Sequence, residues 1–397
     1  MIVDGAPSLH LTYCTNIHPG ETWDEVFANV STHVLAVKAR VAPDRPFGVG
    51  LRLSDAAARR LAEPAVLEAF RDFLRAHDLY VFTINGFPYG AFHGTTVKEN
   101  VYRPDWLEGE RVAYSDRLAG LLAALVPAGM EGSVSTVPGC FVERAAGDAG
   151  EGMAANLRRH ALTLWRLRER TGRTIGLALE PEPHCVLETS ADAVAFFERH
   201  LLSRAAIADF ARSTGLDPAP AEEALRRHLG VCLDACHAAV EFEEAAPALR
   251  NLEAAGLRLL KVQVSAGLVV RPDLDSLAAL SRFAEGVYLH QVVVRKGSAL
   301  HRHVDLPQAL AQARPPDAGH EWRIHFHVPL FLERLGLFQN TQEFLNQLLP
   351  QLARTAPTAH LEVETYTWDV LPEEHRRLPV DDAIARELQW TLARLRP

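Results

Sequence analysis

A closed (β/α)8 barrel, the TIM-barrel arrangement of the α/β class, is the fold this sequence predicts, on three observations. Short β-branched or apolar runs alternate with longer amphipathic stretches, the pattern of βα units around a parallel sheet. Eight such runs are present, more than a doubly wound open sheet needs, and no G-x-G-x-x-G follows the first of them. The 397 residues exceed a minimal barrel by ~150, within the range that insertions produce.

In order, the strands read Leu9–Thr15, Phe47–Leu53, Leu79–Asn85, Gly132–Thr136, Thr174–Glu180, Val231–Asp234, Leu257–Val264 and Ala359–Thr365. Between and after them, apolar residues recur at i, i+3 and i+4. That spacing predicts helices over Glu21–Arg40, Ala65–His77, Arg111–Val126, Gly152–Thr171, Ala191–His200, Ala221–Leu229, Ala238–Ala255 and Thr341–Thr355. The excess length falls in Gly86–Trp106, in Ala205–Pro220, and above all in Arg271–Gln339. Within the last, Val287–Arg295 and Trp322–Leu330 alternate with period two and predict an inserted β-hairpin or small lid after the seventh strand. No long Gly/Ser/Pro linker interrupts the chain, so residues 1–397 are expected to form a single domain.

Composition narrows the function. At 48% hydrophobic and 23% charged, with 25 Gly and 24 Pro scattered, the chain is neither disordered nor fibrous. A net charge of -9 and the lack of any basic stripe argue against nucleic acid as a partner. Only four lysines (Lys38, Lys98, Lys261 and Lys296) are available for Schiff-base chemistry. No apolar stretch of about 18 residues is present, and Met1–Tyr13 lacks the basic and apolar regions of a secretion signal. Five cysteines, an odd number unevenly spread, are then expected as free thiols in the cytoplasm.

Active sites of such barrels lie at the carboxyl ends of the strands. The fifth strand ends in Glu180-Pro-Glu182-Pro-His184, with prolines stopping the ladder. The sixth ends in Asp234, followed one helical turn later by His237; both can reach one ion or one hydroxyl, although Asp234 also suits a helix cap. Period two puts Lys261, Gln263 and Ser265 on one face of the seventh strand, and His360, Glu362 and Glu364 on one face of the eighth. Two carboxylates sharing the inward face of a strand call for a neutralising cation. His325 and His327 share a face of the inserted run, and His18 and Asn85 follow the first and third strands as hydroxyl partners. Glu180, Asp234, Gln263 and Glu364, one from each of the last four strands, form an oxygen-rich set for a divalent ion. Mn2+ or Mg2+ suits it, and the neighbouring histidines leave Zn2+ and Co2+ open.

At these residues the order E…D-x-x-H…Q…E resembles the xylose isomerase-like TIM-barrel superfamily of sugar isomerases, ketose 3-epimerases, hydroxypyruvate isomerase and endonuclease IV. The resemblance implies that Glu180, Asp234, Gln263 and Glu364 hold the metal and that His237 meets the substrate. Epimerases of that group usually carry His where Gln263 stands; Gln resembles the hydroxypyruvate-isomerase variant. Over nearly the whole chain, LTYCTNIHPGETW, HFHVPLF and HLEVETYTWDVLP resemble the EboE family of metabolite-traffic proteins. That resemblance implies processing or export of a secondary metabolite, alongside a prenyltransferase-like membrane protein, a sugar-phosphate cyclase and a TatD-like hydrolase.

Together these readings predict a metal-dependent isomerase or epimerase of a sugar, cyclitol or related polyhydroxylated metabolite. Glu180 and Glu364 would move the proton, His237 would hold the oxygen that gains charge, and Arg295, Lys296 or His327 would close the site. Glu182 and Glu362 stand close enough to exchange roles with their neighbours, and Lys261 is the one inward lysine. The alternative is a non-catalytic carrier or scaffold that passes a metabolite to a membrane protein. An abasic-site endonuclease fits the charge poorly, and a Schiff-base aldolase would require Lys261.

Overall fold

In the computed structural model, which describes residues 1–4, 6–314, 319–355 and 358–395, the chain builds a parallel barrel and a smaller antiparallel sheet beside its mouth. Seven barrel strands come first: β1 (Ala6–Tyr13), β2 (Phe47–Arg52), β3 (Leu79–Asn85), β4 (Gly132–Thr136), β5 (Ile175–Leu179), β6 (Leu229–Asp234) and β7 (Leu259–Val264). From β2 to β7 each pairs in parallel with the next. The chain then leaves the barrel for β8 (Leu268–Val270), β9 (Val292–Lys296), β10 (Ala299–His303), β11 (His320–Ile324), β12 (Arg334–Leu335) and β13 (Phe338–Asn340). These six lie antiparallel in the order β10-β9-β11-β8-β13-β12. It returns with β14 (His360–Val363), which pairs in parallel with both β7 and β1.

Between β1 and β2 the barrel is closed by a single parallel bridge, Cys14 to Gly50, and by the Thr12 hydroxyl. That hydroxyl donates to Gly48 O at 2.7 Å and accepts from Gly50 N at 3.1 Å. Gly50 is required here by space: a Cβ would lie 2.1 Å from Glu362 Oε1 and 2.4 Å from Tyr13 O. The strands are apolar runs because both sides of a barrel strand are covered, by helices outside and by packed side chains within. β2, β5, β6, β7 and β14 are buried throughout.

Strand positions follow the sequence expectations closely, and the helices depart from them where acids are drawn elsewhere. The predicted helix Ala238–Ala255 is two helices, Ala235–Val240 and Ala245–Ala254. The break contains Glu241 and Glu243. Glu241 pairs with Arg302, and Glu243 accepts from Ser190 N, so both side chains serve neighbouring elements. Phe242 between them takes a φ of 61°. The segment Ala205–Pro220, expected as loop, contains the helix Arg204–Thr214, capped by Ser203 and ended by Gly215 at φ 74°. Further helices absent from the prediction span Asp55–Leu61, Leu274–Leu280, Leu306–Gln312 and Val380–Leu395. The insertion is larger than a hairpin, and its residues 315–318 lie outside the described residues. His325 and His327 do not sit on a strand: β11 stops at Ile324 and irregular backbone follows.

All five cysteines are buried and free. No helix among the described residues is long and apolar enough to cross a membrane.

Candidate functional site

The carboxyl ends of β5, β6, β7 and β14 meet beneath a cavity lined on its lower side by Asn16, Asn85, Glu180, Glu182 and Glu364, with His237 and His325 beside them. Asp234 does two jobs, one with each oxygen. Oδ1 caps the helix Ala235–Val240, accepting from His237 N at 2.9 Å, and also accepts from Ser265 Oγ at 2.7 Å. Oδ2 is buried without a hydrogen-bond partner. The cap expected of Asp234 is therefore made by Oδ1, and Oδ2 stays free to meet an ion.

Further buried polar atoms are left open in the same way: Glu180 Oε2, both amide atoms of Gln263, and His327 Nε2. Gln263 is in register with Asp234 across β6 and β7. Glu180, Asp234 and Glu364 offer one oxygen each within 4.8 Å of one another, and Asp234, His237 and His327 form a second such group. An unpaired buried polar atom costs about 1–3 kcal/mol, so this concentration of them is a donor set lacking its acceptor. The residues present thus fit a divalent cation.

The imidazoles carry the same message. His327 Nδ1 lies 2.8 Å from the Glu364 carbonyl and must donate to it, which leaves Nε2 a lone pair 4.0 Å from Asp234 Oδ2. A backbone acceptor that fixes a histidine tautomer in this manner is the usual support of a metal ligand. His237 Nδ1 lies 2.9 Å from Pro181 O and likewise donates. His325 Nδ1 faces Gln291 Oε1 at 2.7 Å; the Gln291 amide nitrogen is committed to Pro183 O, Glu182 and Tyr102, so His325 Nδ1 is the donor there. The Nε2 atoms of His237 and His325 then face one another at 3.1 Å. A hydrogen on one of the two rings or a cation between them would reconcile that distance. Burial, with the adjacent imidazoles, lowers the His325 pKa well below its ordinary value, so a proton is poorly suited to the position. Burial likewise lowers His327, to about 4.

The acids divide in a complementary way. Burial raises Glu180 and Glu364 well above the usual carboxylate range; Glu364 and Asp234 add to it for Glu180, and Asp234 and Glu362 for Glu364. For Asp234 burial also opposes charge, but the His237 and His327 imidazoles and two hydrogen bonds outweigh it and hold the pKa below its ordinary value. Glu364 Oε1 accepts from Asn16 Nδ2 at 2.7 Å and Asn85 Nδ2 at 2.9 Å. Glu182 accepts from the Tyr102 hydroxyl at 2.6 Å.

Of the residues singled out in the sequence, Glu180, Glu182, Asp234, His237, Glu364, Asn85, His325 and His327 gather at this centre, with Gln263 on the neighbouring strand. Four residues expected to meet substrate are placed elsewhere. Lys261 and Glu362 form an ion pair of 2.6 Å, both fully buried, and neither lines the cavity. Arg295 lies on β9 with its guanidinium 4.4 Å from the Phe242 ring centre and 3.3 Å from Glu321, on the outer side of the insertion. His18 stacks on His33 at 4.2 Å and bonds to the Tyr13 hydroxyl, behind the barrel wall. Lys296 is exposed. Sequence reasoning missed Tyr102, Gln291 and Tyr366. Gln291 is the amide beside His290 in the otherwise largely apolar run VYLHQVVVR, which was a usable signal; Tyr102 sits in a short 3-10 helix, Lys98–Tyr102, with no periodicity to mark it.

No family model matches the chain, and no curated protein does. Solved structures similar to it include an L-ribulose 3-epimerase at 11% identity and a TM-score of 0.48, covering 98% of this chain and 96% of that one. Another is the probable 3-DHS dehydratase AsbF of petrobactin synthesis from Bacillus anthracis, at 10% identity and a TM-score of 0.47, covering 96% and 98%. A third is the IOLI protein with a bound zinc atom, at 12% identity and a TM-score of 0.46, covering 98% of each chain.

Proposed function

We propose that the chain is a metal-dependent isomerase or epimerase of a sugar, cyclitol or related polyhydroxylated metabolite. The observation that carries this reading is the convergence of Glu180, Asp234 and Glu364, with His327 beside Asp234 and partnerless buried atoms on Glu180, Asp234 and His327, at the carboxyl ends of the barrel strands; Gln263, likewise partnerless, is in register with Asp234. Glu180, Asp234, Gln263 and Glu364 would hold the ion, with His327 as a nitrogen ligand. A divalent ion in that position supplies Lewis acidity toward a carbonyl oxygen and a neighbouring hydroxyl. Glu180 and Glu364, buried carboxyl groups brought together from the ends of β5 and β14, are suited as carboxylates to take a proton from carbon and return it. Asn16 and Asn85 fix the rotamer of Glu364, while Pro181 O fixes the ring of His237 facing the cavity.

The EboE-like strings would set this reaction in the processing or export of a secondary metabolite, in the cytoplasm, with a prenyltransferase-like membrane protein among the partners. Elemental analysis of the wild-type protein beside Asp234→Ala tests the core of the reading. About one or more equivalents of divalent metal, lost in the variant, is expected. Absence of metal after incubation with Mn2+, Co2+ and Zn2+ would remove it. Glu180→Gln that binds metal but turns over no substrate would assign the base.

A further inference from the structure

The cavity has two chemically different linings. The strand ends supply the amides, carboxylates and imidazoles just described. The loop after β3 and the insertion, its upper wall, supply Phe87, Phe92, Val97, Val101 and Leu289. Three tyrosines, Tyr102, Tyr288 and Tyr366, also face the cavity, yet each hydroxyl is engaged by protein: Tyr102 by Glu182, Tyr288 by His93 Nδ1 at 2.7 Å, and Tyr366 by His325 Nε2 at 3.3 Å. They therefore present rings to an occupant. Phe92, Tyr288 and Tyr366 stand 5.2 Å apart pairwise, so the rings form one continuous surface.

This upper wall is held in place from behind. Arg111 donates to Gly86 O at 2.7 Å and Phe87 O at 3.1 Å, and Phe92 N donates to Glu21 Oε1 at 3.0 Å. Both the Arg111 and Arg52 guanidiniums are buried and turned to backbone carbonyls and Glu21, away from the cavity. Among the described lining residues the one cation is Lys98. Its ammonium is committed to Tyr288 O at 2.6 Å, Asp305 Oδ2 at 2.7 Å and Glu285 O at 3.1 Å, tying the loop after β3 to the insertion. The space enclosed is about 50 Å³, room for a few water molecules, so a larger occupant would require the Lys98 tie to part.

We infer that the substrate is an uncharged amphipathic molecule: a polyhydroxylated or hydroxy-carbonyl head directed at the acids, carrying an apolar aryl or branched-alkyl body, and not a sugar phosphate. A bare polyol would set hydroxyls against Val97, Val101 and Leu289, which offer them no partner. A phosphate at the other end of such a head would lie among Phe87, Phe92, Val97, Val101 and Leu289, where the one ammonium, that of Lys98, is already committed. The inference rests on the polyol-directed reading of the lower side and adds what the upper side selects.

Equilibrium binding to the metal-incubated protein tests it with two matched series: D-glucose, phenyl β-D-glucopyranoside and glucose 6-phosphate; and myo-inositol, its monobenzyl ether and its monophosphate. In at least one series the aryl compound should bind about tenfold or more tightly than its parent, and the phosphate no more tightly than the parent. Phe92→Ala should abolish the aryl preference with metal content unchanged, and Val101→Ala, on a separate segment, should weaken it. Lack of an aryl preference in both series, including undetectable binding throughout, overturns the inference, as does tightest binding of a phosphate. Metal uptake without aryl preference would sink this inference alone. Aryl preference in a protein that takes up no metal would sink the proposed reaction and leave this inference standing.

Discussion

Glu362 and Glu364 lie two residues apart at the end of the barrel and both project inward, yet they have different surroundings. Glu362 meets the Lys261 ammonium at 2.6 Å in a space closed to solvent. Burial opposes the charge on Lys261, but Glu362 outweighs it and raises the lysine pKa. Glu364 meets two neutral amides, on Asn16 and Asn85, and two further acids, Glu180 and Asp234. The lower carboxylate has its counter-charge built into the chain. The upper one has hydrogen-bond donors but no counter-charge, so a cation from outside could complete it. One layer of the barrel balances its charges within the chain and the next does not.

The comparison can be broken most sharply at Lys261. Lys261→Met strands Glu362 as an unpaired buried acid, and chemical denaturation should show a loss of about 3–5 kcal/mol. Adding Glu362→Gln should recover much of it, whereas Asp234→Ala should cost the metal-free protein only about 1–2 kcal/mol, the loss of a helix cap and its hydrogen bond to Ser265.

A third buried acid sharpens the contrast through pH. Glu387, on the last helix, accepts from Leu330 N at 3.0 Å and Thr365 Oγ1 at 2.7 Å, with no cation. Burial raises its pKa to about 7 from 4.5. The folded pKa exceeds the unfolded one, so its contribution is complete below about 4.5 and is lost as pH rises through about 7. Relative to wild type, Glu387→Gln should therefore gain up to about 3 kcal/mol between acidic and mildly alkaline pH. Parallel stability curves for the two proteins would refute this.

Gly50→Ala presses on the lower layer sterically. Its Cβ meets Glu362 Oε1 and the Tyr13 carbonyl, and a loss of about 1–3 kcal/mol is expected in thermal or denaturant unfolding. For the upper layer the smallest effect on folding is expected from Asn16→Ala. It should weaken divalent-metal affinity about 10–100-fold by freeing Glu364, with unfolding nearly unchanged; calorimetric titration of the metal measures it.

The order of the two layers is legible in sequence, and their closure is not. Period two states that Lys261, Gln263, Glu362 and Glu364 face inward, and chain order puts Glu364 nearer the carboxyl end. Neither says which inward residue on one strand meets which on the next, so a sealed ion pair and an open donor set read alike until the strands are packed. Register pairs Glu362 with Gln263 and with Thr12 across its two neighbours, and Lys261 seals it there while Glu364 lines the cavity. The strands were legible because buried β runs are apolar and short. The Ala238–Ala255 helix was misjudged because the partners of Glu241 and Glu243 are remote in sequence. His325 and His327 were legible as a pair from their spacing, although the backbone that carries them is not a strand. Nothing in the sequence shows that Glu364 O would be the acceptor that turns His327 toward Asp234.

Among the described residues β14 is the one strand joining β7 to β1, with His360 beside His10 in register. During synthesis the first strand therefore emerges hundreds of residues before the neighbour that covers its edge. Until residue 363 has left the ribosome, both β1 and β7 expose unpaired backbone, a template for pairing with other chains. Glu364 arrives with that same strand, so closing the barrel and completing its acid cluster are one event at the end of translation. Truncations upstream of His360 should yield aggregating chains rather than smaller barrels.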